Sequence, residues 1–129
     1  MQEKYCFFIQ EIKHFTGIIN FKGRNKMGDI LKAAFIFVAP DADPATHRQW
    51  VKTPKVHLLA IGVKDYAGAV DAARKIVAED GVMAIELCGG FGARGTAMVS
   101  EAVGARIPVG VVRFDIHPGL GNASGDTLF

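Results

Sequence analysis

Apolar residues gather in short dense runs punctuated by glycine, proline and aspartate, and these runs alternate with stretches in which apolar positions recur every three or four residues. Lys32-Ala-Ala-Phe-Ile-Phe-Val-Ala39 is almost continuously apolar between Asp29 and Pro40. That is the pattern of a strand buried on both faces, which favours a central parallel position. Residues 56–63, 82–87 and 109–114 are three further runs of strand length. Between the second and third, Tyr66, Val70, Ala73 and Val77 share one helical face while Asp71, Arg74, Lys75 and Glu79 cover the other. Residues 66–79 therefore read as an amphipathic helix, capped by Asp65 and stopped at Asp80-Gly81. Residues 96–103 place Val99 and Val103 on one face and break at Gly104, predicting a last helix. Asp43-Pro44 has the form of a helix start, with a capping carboxylate and proline in the first turn. It predicts a short helix through about Val51, ended by Pro54.

The resulting order of strand, short helix, strand, helix, strand, helix, strand predicts an α/β fold. The expected architecture is a compact three-layer sandwich around a four-stranded, mostly parallel sheet in the order 2-1-3-4, with right-handed crossovers. A polar, turn-rich tail follows from Asp115 to Asp126, and Leu128-Phe129 can anchor its end. The first 26 residues have a different texture. Tyr5, Phe8, Ile12 and Phe15 recur at helical spacing before the polar break Lys22-Gly-Arg-Asn-Lys26. Residues 1–26 are read as an extension that either docks on the domain or a partner or precedes a physiological start at Met27, and residues 27–129 as one α/β domain.

A chain of 129 residues with 50% hydrophobic and 22% charged residues suffices for one sizeable core. The net charge of +2, with much of the basic excess before Lys32, argues against a nucleic-acid partner. No apolar run approaches the roughly 20 residues of a membrane span. Two cysteines, Cys6 and Cys88, occur in segments not expected to pair, and no secretory peptide is evident. Free thiols and a cytoplasmic location are expected.

The chemistry concentrates in two places. Cys88-Gly-Gly-Phe-Gly-Ala-Arg-Gly95 carries an apolar strand into a glycine-rich turn and a helix start, where backbone N–H groups can receive an anion. Gly89, Gly90, Gly92 and Gly95 would shape that loop and Arg94 would add a forked ion pair. Gly90-Phe-Gly92-Ala-Arg-Gly95 formally matches the dinucleotide fingerprint of Rossmann-like folds, but it follows the third strand instead of the first. Cys88 and Glu86 flank the turn as a nucleophile and an acid, base or ligand-binding group. The second cluster is Arg113, Asp115 and His117, leaving the end of the adjacent strand. In an open α/β sheet these two exits face one crevice, where Asp115 can orient His117 for proton transfer. Each of these residues also has a structural reading: packed thiol, outward carboxylate, helix-entry arginine, or a local network fixing the tail. Neither CxxC nor HExxH is present, so no metal site is assigned and the cofactor stays open.

The phrases Ala84-Ile-Glu-Leu-Cys-Gly-Gly-Phe-Gly92 and Pro108-Val-Gly-Val-Val-Arg-Phe-Asp-Ile-His-Pro-Gly-Leu-Gly-Asn122, with Ser124-Gly-Asp126 and the first strand, resemble a family of small bacterial proteins of unknown function. The resemblance spans about residues 31–129 and implies a standalone small domain, without a substrate, cofactor or catalytic residue. The expected function is binding of a small anionic metabolite at the glycine-rich turn. The alternatives are a structural or protein-interaction subunit, including a homo-oligomer, and a nucleotide-binding protein or Cys-His enzyme.

Overall fold

The computed structural model describes residues 29–129. The apolar repeat at residues 5–15, the polar break at 22–26 and Cys6 lie outside the described residues. The chain runs β1 (Leu31–Val38), β2 (Arg48–Lys52), β3 (Val56–Val63), α1 (Tyr66–Lys75) with a π-helical turn over Ile76–Asp80, β4 (Ala84–Leu87), α2 (Ala93–Val103) and β5 (Val109–Val111). Two 3₁₀ turns, Pro118–Leu120 and Gly125–Thr127, close the tail.

The sheet has five strands in the order β2-β3-β1-β4-β5, which corrects the expected four-stranded sheet of order 2-1-3-4. The added strand is β2, paired antiparallel with the outer edge of β3, whereas β3, β1, β4 and β5 are mutually parallel. β2 occupies the region read as a short helix. Asp43 does cap a turn, accepting from the Ala45 N–H at 2.9 Å through its carboxylate and from the His47 N–H at 2.7 Å through its backbone oxygen. One turn is all that forms. Arg48, Trp50 and Lys52 then alternate with Gln49 and Val51, and the open N–H and C=O groups along β3 give this segment a ladder that a lone short helix cannot match. Thr53 closes the hairpin, its hydroxyl donating to the Val56 oxygen at 2.8 Å and accepting from the Val56 N–H at 2.9 Å.

Loss of that helix also removes a layer. From β3 the chain crosses over β1 through α1 to reach β4, and from β4 it moves one place further in the same direction through α2 to β5. Right-handed crossovers that travel the same way put both helices on the same face of the sheet. A helix on the β1-to-β3 connection, which travels the other way, would have covered the opposite face. The described residues thus form two layers, α1 and α2 on one face of the sheet, instead of the expected three.

The core lies between those layers. Ala34 and Ile36 of β1, Leu59, Ile61 and Val63 of β3, and Ile85 and Leu87 of β4 point at Tyr66, Ala69, Ala72, Ala73 and Ile76 of the α1 segment and Val99 of α2. Alanines at 69, 72 and 73 bring α1 close to the sheet. Asp65 caps α1 by accepting from the Gly68 N–H at 2.7 Å, and Gly81, in the left-handed region at φ 71°, turns the chain out of the π-helical segment. Arg48 ties β2 to the end of that segment through a 2.8 Å ion pair with Asp80.

Candidate functional site

The glycine-rich turn leaves β4 at Cys88 and enters α2 through Gly92, which has no side chain to cap the helix. The first N–H groups of a helix need an acceptor, and here it comes from the far end of the chain. The Asp126 carboxylate accepts from the Arg94 N–H at 3.0 Å and the Gly95 N–H at 3.2 Å, the two positions that a local N-cap side chain would serve. Ser124 holds Asp126 in place by accepting from its N–H at 3.3 Å.

Tyr66, the first residue of α1, completes the junction. Its hydroxyl accepts from the Gly92 N–H at 3.0 Å and lies 3.2 Å from Asp126 Oδ1 and 3.3 Å from the Gly90 oxygen, so its single proton serves one of these two acceptors at a time. The ring stacks on Phe91 with centroids 5.2 Å apart and touches Phe129 at 5.6 Å. The Arg94 guanidinium lies 5.8 Å from the Tyr66 ring centroid and donates to the backbone oxygen of Phe129. Burial pushes the Tyr66 hydroxyl pKa up, and the neighbouring Asp126 charge adds to that shift. Burial also raises the Asp126 carboxyl, but the N–H groups of Arg94 and Gly95, the Tyr66 hydroxyl and the Arg94 charge outweigh it and hold the acid below the ordinary carboxylate range.

The glycines serve this junction by being small. A Cβ on Gly95 would sit 2.5 Å from the Tyr66 ring, one on Gly92 2.3 Å from the Asp126 carboxyl, and one on Gly89 2.2 Å from the Phe114 ring. Gly90 is pressed likewise by Val38, and Gly125 by the Gly90 oxygen. None of these five has a positive φ. The turn reads as a phosphate loop in sequence because close packing and phosphate cradling both select glycine.

The other predicted residues separate. Cys88 is a free, half-buried thiol whose sulfur accepts from the N–H groups of Gly90 at 3.3 Å and Val38 at 3.5 Å. Glu86 is exposed and alternates with the core residues Ile85 and Leu87, which puts it on the face of the sheet away from the helices. Asp115 pairs with Arg113 at 2.9 Å, a solvent-exposed contact, and is not the partner of the His117 ring. His117 instead opens a 3₁₀ turn, its Nδ1 accepting from the Gly119 N–H at 3.0 Å, with the ring 4.8 Å from that of Phe114. Among the described residues, no three His, Cys, Asp or Glu side chains are grouped to hold a metal ion, and no helix is long and apolar enough to cross a membrane.

Beside the junction lies a cleft of about 710 Å³ between the first turns of α2, β5 and the tail, a volume in the range of small-molecule sites. Phe91, Ala97, Val109, Val111 and Phe114 give it apolar walls; Thr96, Ser100, Arg113, Asp115, Ser124 and Asp126 supply polar groups. Of the residues singled out in the sequence, Gly92, Arg113 and Asp115 line it. Tyr66 and Asp126 were not among them. The available signal was indirect: glycines crowded into one turn imply a large side chain pressed against them, and a helix starting at Gly92 implies a cap from elsewhere.

Comparison with curated proteins finds no match to this chain. A family model described as a family of unknown function, DUF6506, matches residues 31–127. That span starts on the first residue of β1 and ends with the 3₁₀ turn carrying Asp126, so it takes in the whole sheet, both helices and the capping carboxylate. The chain belongs to the DUF6506 family of unknown function.

Proposed function

We propose that the protein binds a small metabolite in the cleft between α2 and β5, its apolar body against Ala97 and Val111 and a carboxylate or similar anionic group held by Arg113. The cleft itself carries this reading: it lies along the β5 edge of the sheet between α2 and the tail, and it combines apolar walls with a few polar groups. The ligand lies next to the glycine-rich turn and not on its N–H groups, because Asp126 already fills that position. Arg113 is the cation facing this space, and its exposed pairing with Asp115 is of the weak kind that a ligand carboxylate can replace.

A thermal-shift screen of the full chain against small carboxylates, phosphates and nucleotides tests it, with Arg113→Ala and Ala97→Phe as the variants. A ligand at about one hundred times its Kd stabilises by about 2.7 kcal/mol, a shift of several degrees for a domain of this size. A carboxylate-dependent shift lost in both variants supports the site. A shift that survives in both, or none from any class, overturns it.

A further inference from the structure

The face of the sheet that carries no helix among the described residues has a composition that a solvated face does not. Its central residues are Ala33, Phe35 and Phe37 of β1, Leu58 and Ala60 of β3, and Ala84 of β4. Around them Leu31, Val51 and Val56 are 37%, 57% and 38% exposed. Antiparallel or mixed sheets with one wet face normally alternate apolar with polar. Here the polar exceptions within the strands are Gln49 and Glu86, and the strand registers place both in one row across the sheet: Gln49, Ala60, Phe35, Glu86, Gly110.

We propose that this face closes on the same face of a second copy of the chain, about a two-fold axis running along β1. The axis follows from the row. Rotation about β1 exchanges the two halves of the sheet, so Glu86 comes opposite Ala60 of the other copy, Gln49 opposite Gly110, and Phe35 meets its own equivalent. Each long polar side chain faces a residue with a small one or none, and Gln49 lies one strand spacing from the other copy's Glu86, within reach of a hydrogen bond. In the neighbouring row Ala33, Leu58 and Ala84 are aligned, and the same rotation sets Leu58 against Ala84. A two-fold axis at right angles to the strands through this row would instead bring Glu86 against Glu86 and Gln49 against Gln49. Five strands about 4.8 Å apart and some six residues long at about 3.3 Å each present about 480 Å². The pair therefore covers about 960 Å², the size of a weak, dissociating interface.

Sedimentation velocity of the full chain over a hundredfold range of concentration tests the proposal. The expected result is a dimer that dissociates at the dilute end. Val51→Lys and Ala60→Arg should each raise the dissociation constant at least tenfold; Val51 is exposed at the rim, so its variant remains folded by circular dichroism even where Ala60→Arg does not. Gln49→Lys should tighten the dimer, because the new ammonium group meets Glu86 of the other copy, whereas about the perpendicular axis it would meet itself and weaken it. A chain that stays monomeric throughout, as when residues 1–28 or another protein cover this face, overturns the proposal. So does a dimer indifferent to Val51→Lys, or one weakened by Gln49→Lys.

Discussion

The Tyr66 hydroxyl and the Asp126 carboxylate meet at 3.2 Å across 60 positions of sequence, directly over the N-terminus of α2. One contact thereby joins the start of α1, the start of α2 and the end of the chain, and the consequences are measurable.

Replacing Asp126 by alanine removes the acceptor of the Arg94 and Gly95 N–H groups. Loss of a helix cap costs about 0.5–2 kcal/mol, and with the Arg94 bond exposed and the Gly95 bond partly buried the expected loss is about 1 kcal/mol. Urea denaturation should show the loss with an unchanged slope, while Ser124→Ala, which touches only the Asp126 N–H, should cost less.

The same pair sets two limits on pH stability. Asp126 has a lowered pKa in the folded state, so its contribution is complete above the unfolded carboxyl value of about 3.9 and disappears as pH falls through the lower folded value. Tyr66 has a raised pKa, so its contribution is complete below about pH 10 and disappears as pH rises through the higher folded value. Denaturation across pH should show Asp126→Asn flattening the acid limb and Tyr66→Phe the alkaline limb.

Gly95→Ala forces a methyl group against the Tyr66 ring, 2.5 Å from its nearest atom, and overpacking of this kind costs about 1–3 kcal/mol. In a Tyr66→Leu background the obstruction is gone, and the added cost of Gly95→Ala should fall to well below half. A double-mutant cycle measures that coupling; additive costs would mean the ring does not set the requirement for glycine.

The Arg48–Asp80 pair anchors the edge strand β2, with both side chains about three-quarters buried. Asp80→Asn should lower stability by about 1 kcal/mol, an effect that shrinks in molar salt. Amide exchange should rise in β2 more than in β1, because the pair holds the edge and not the centre of the sheet.

Much of the fold is legible along the chain because its cause is local. The runs beginning at Lys32, Val56, Val82 and Val109 each hold a strand, the third starting only at Ala84 and the fourth ending at Val111, and Asp65 and Gly104 bound their helices by geometry within one turn. The exception shows the limit. Residues 44–51 hold a sound helix start, yet the segment becomes β2 because the open edge of β3 offers it a ladder. That pairing is a fact about a strand some eight residues further on, and it removed a whole helical layer.

The candidate site divides in the same way. Sequence determined that a glycine-rich turn would join a strand to a helix, and that the Arg113 segment would leave the adjacent strand beside it. Only the tertiary structure decided what fills the turn. Helix N–H groups attract any carboxylate in reach, and whether that is a ligand or Asp126 depends on where the last residues of the chain fold back, which no spacing within the turn encodes. The outward position of Glu86 and the placing of both described helices on one face of the sheet likewise follow from pleat and crossover direction, properties that exist only once the strands are paired.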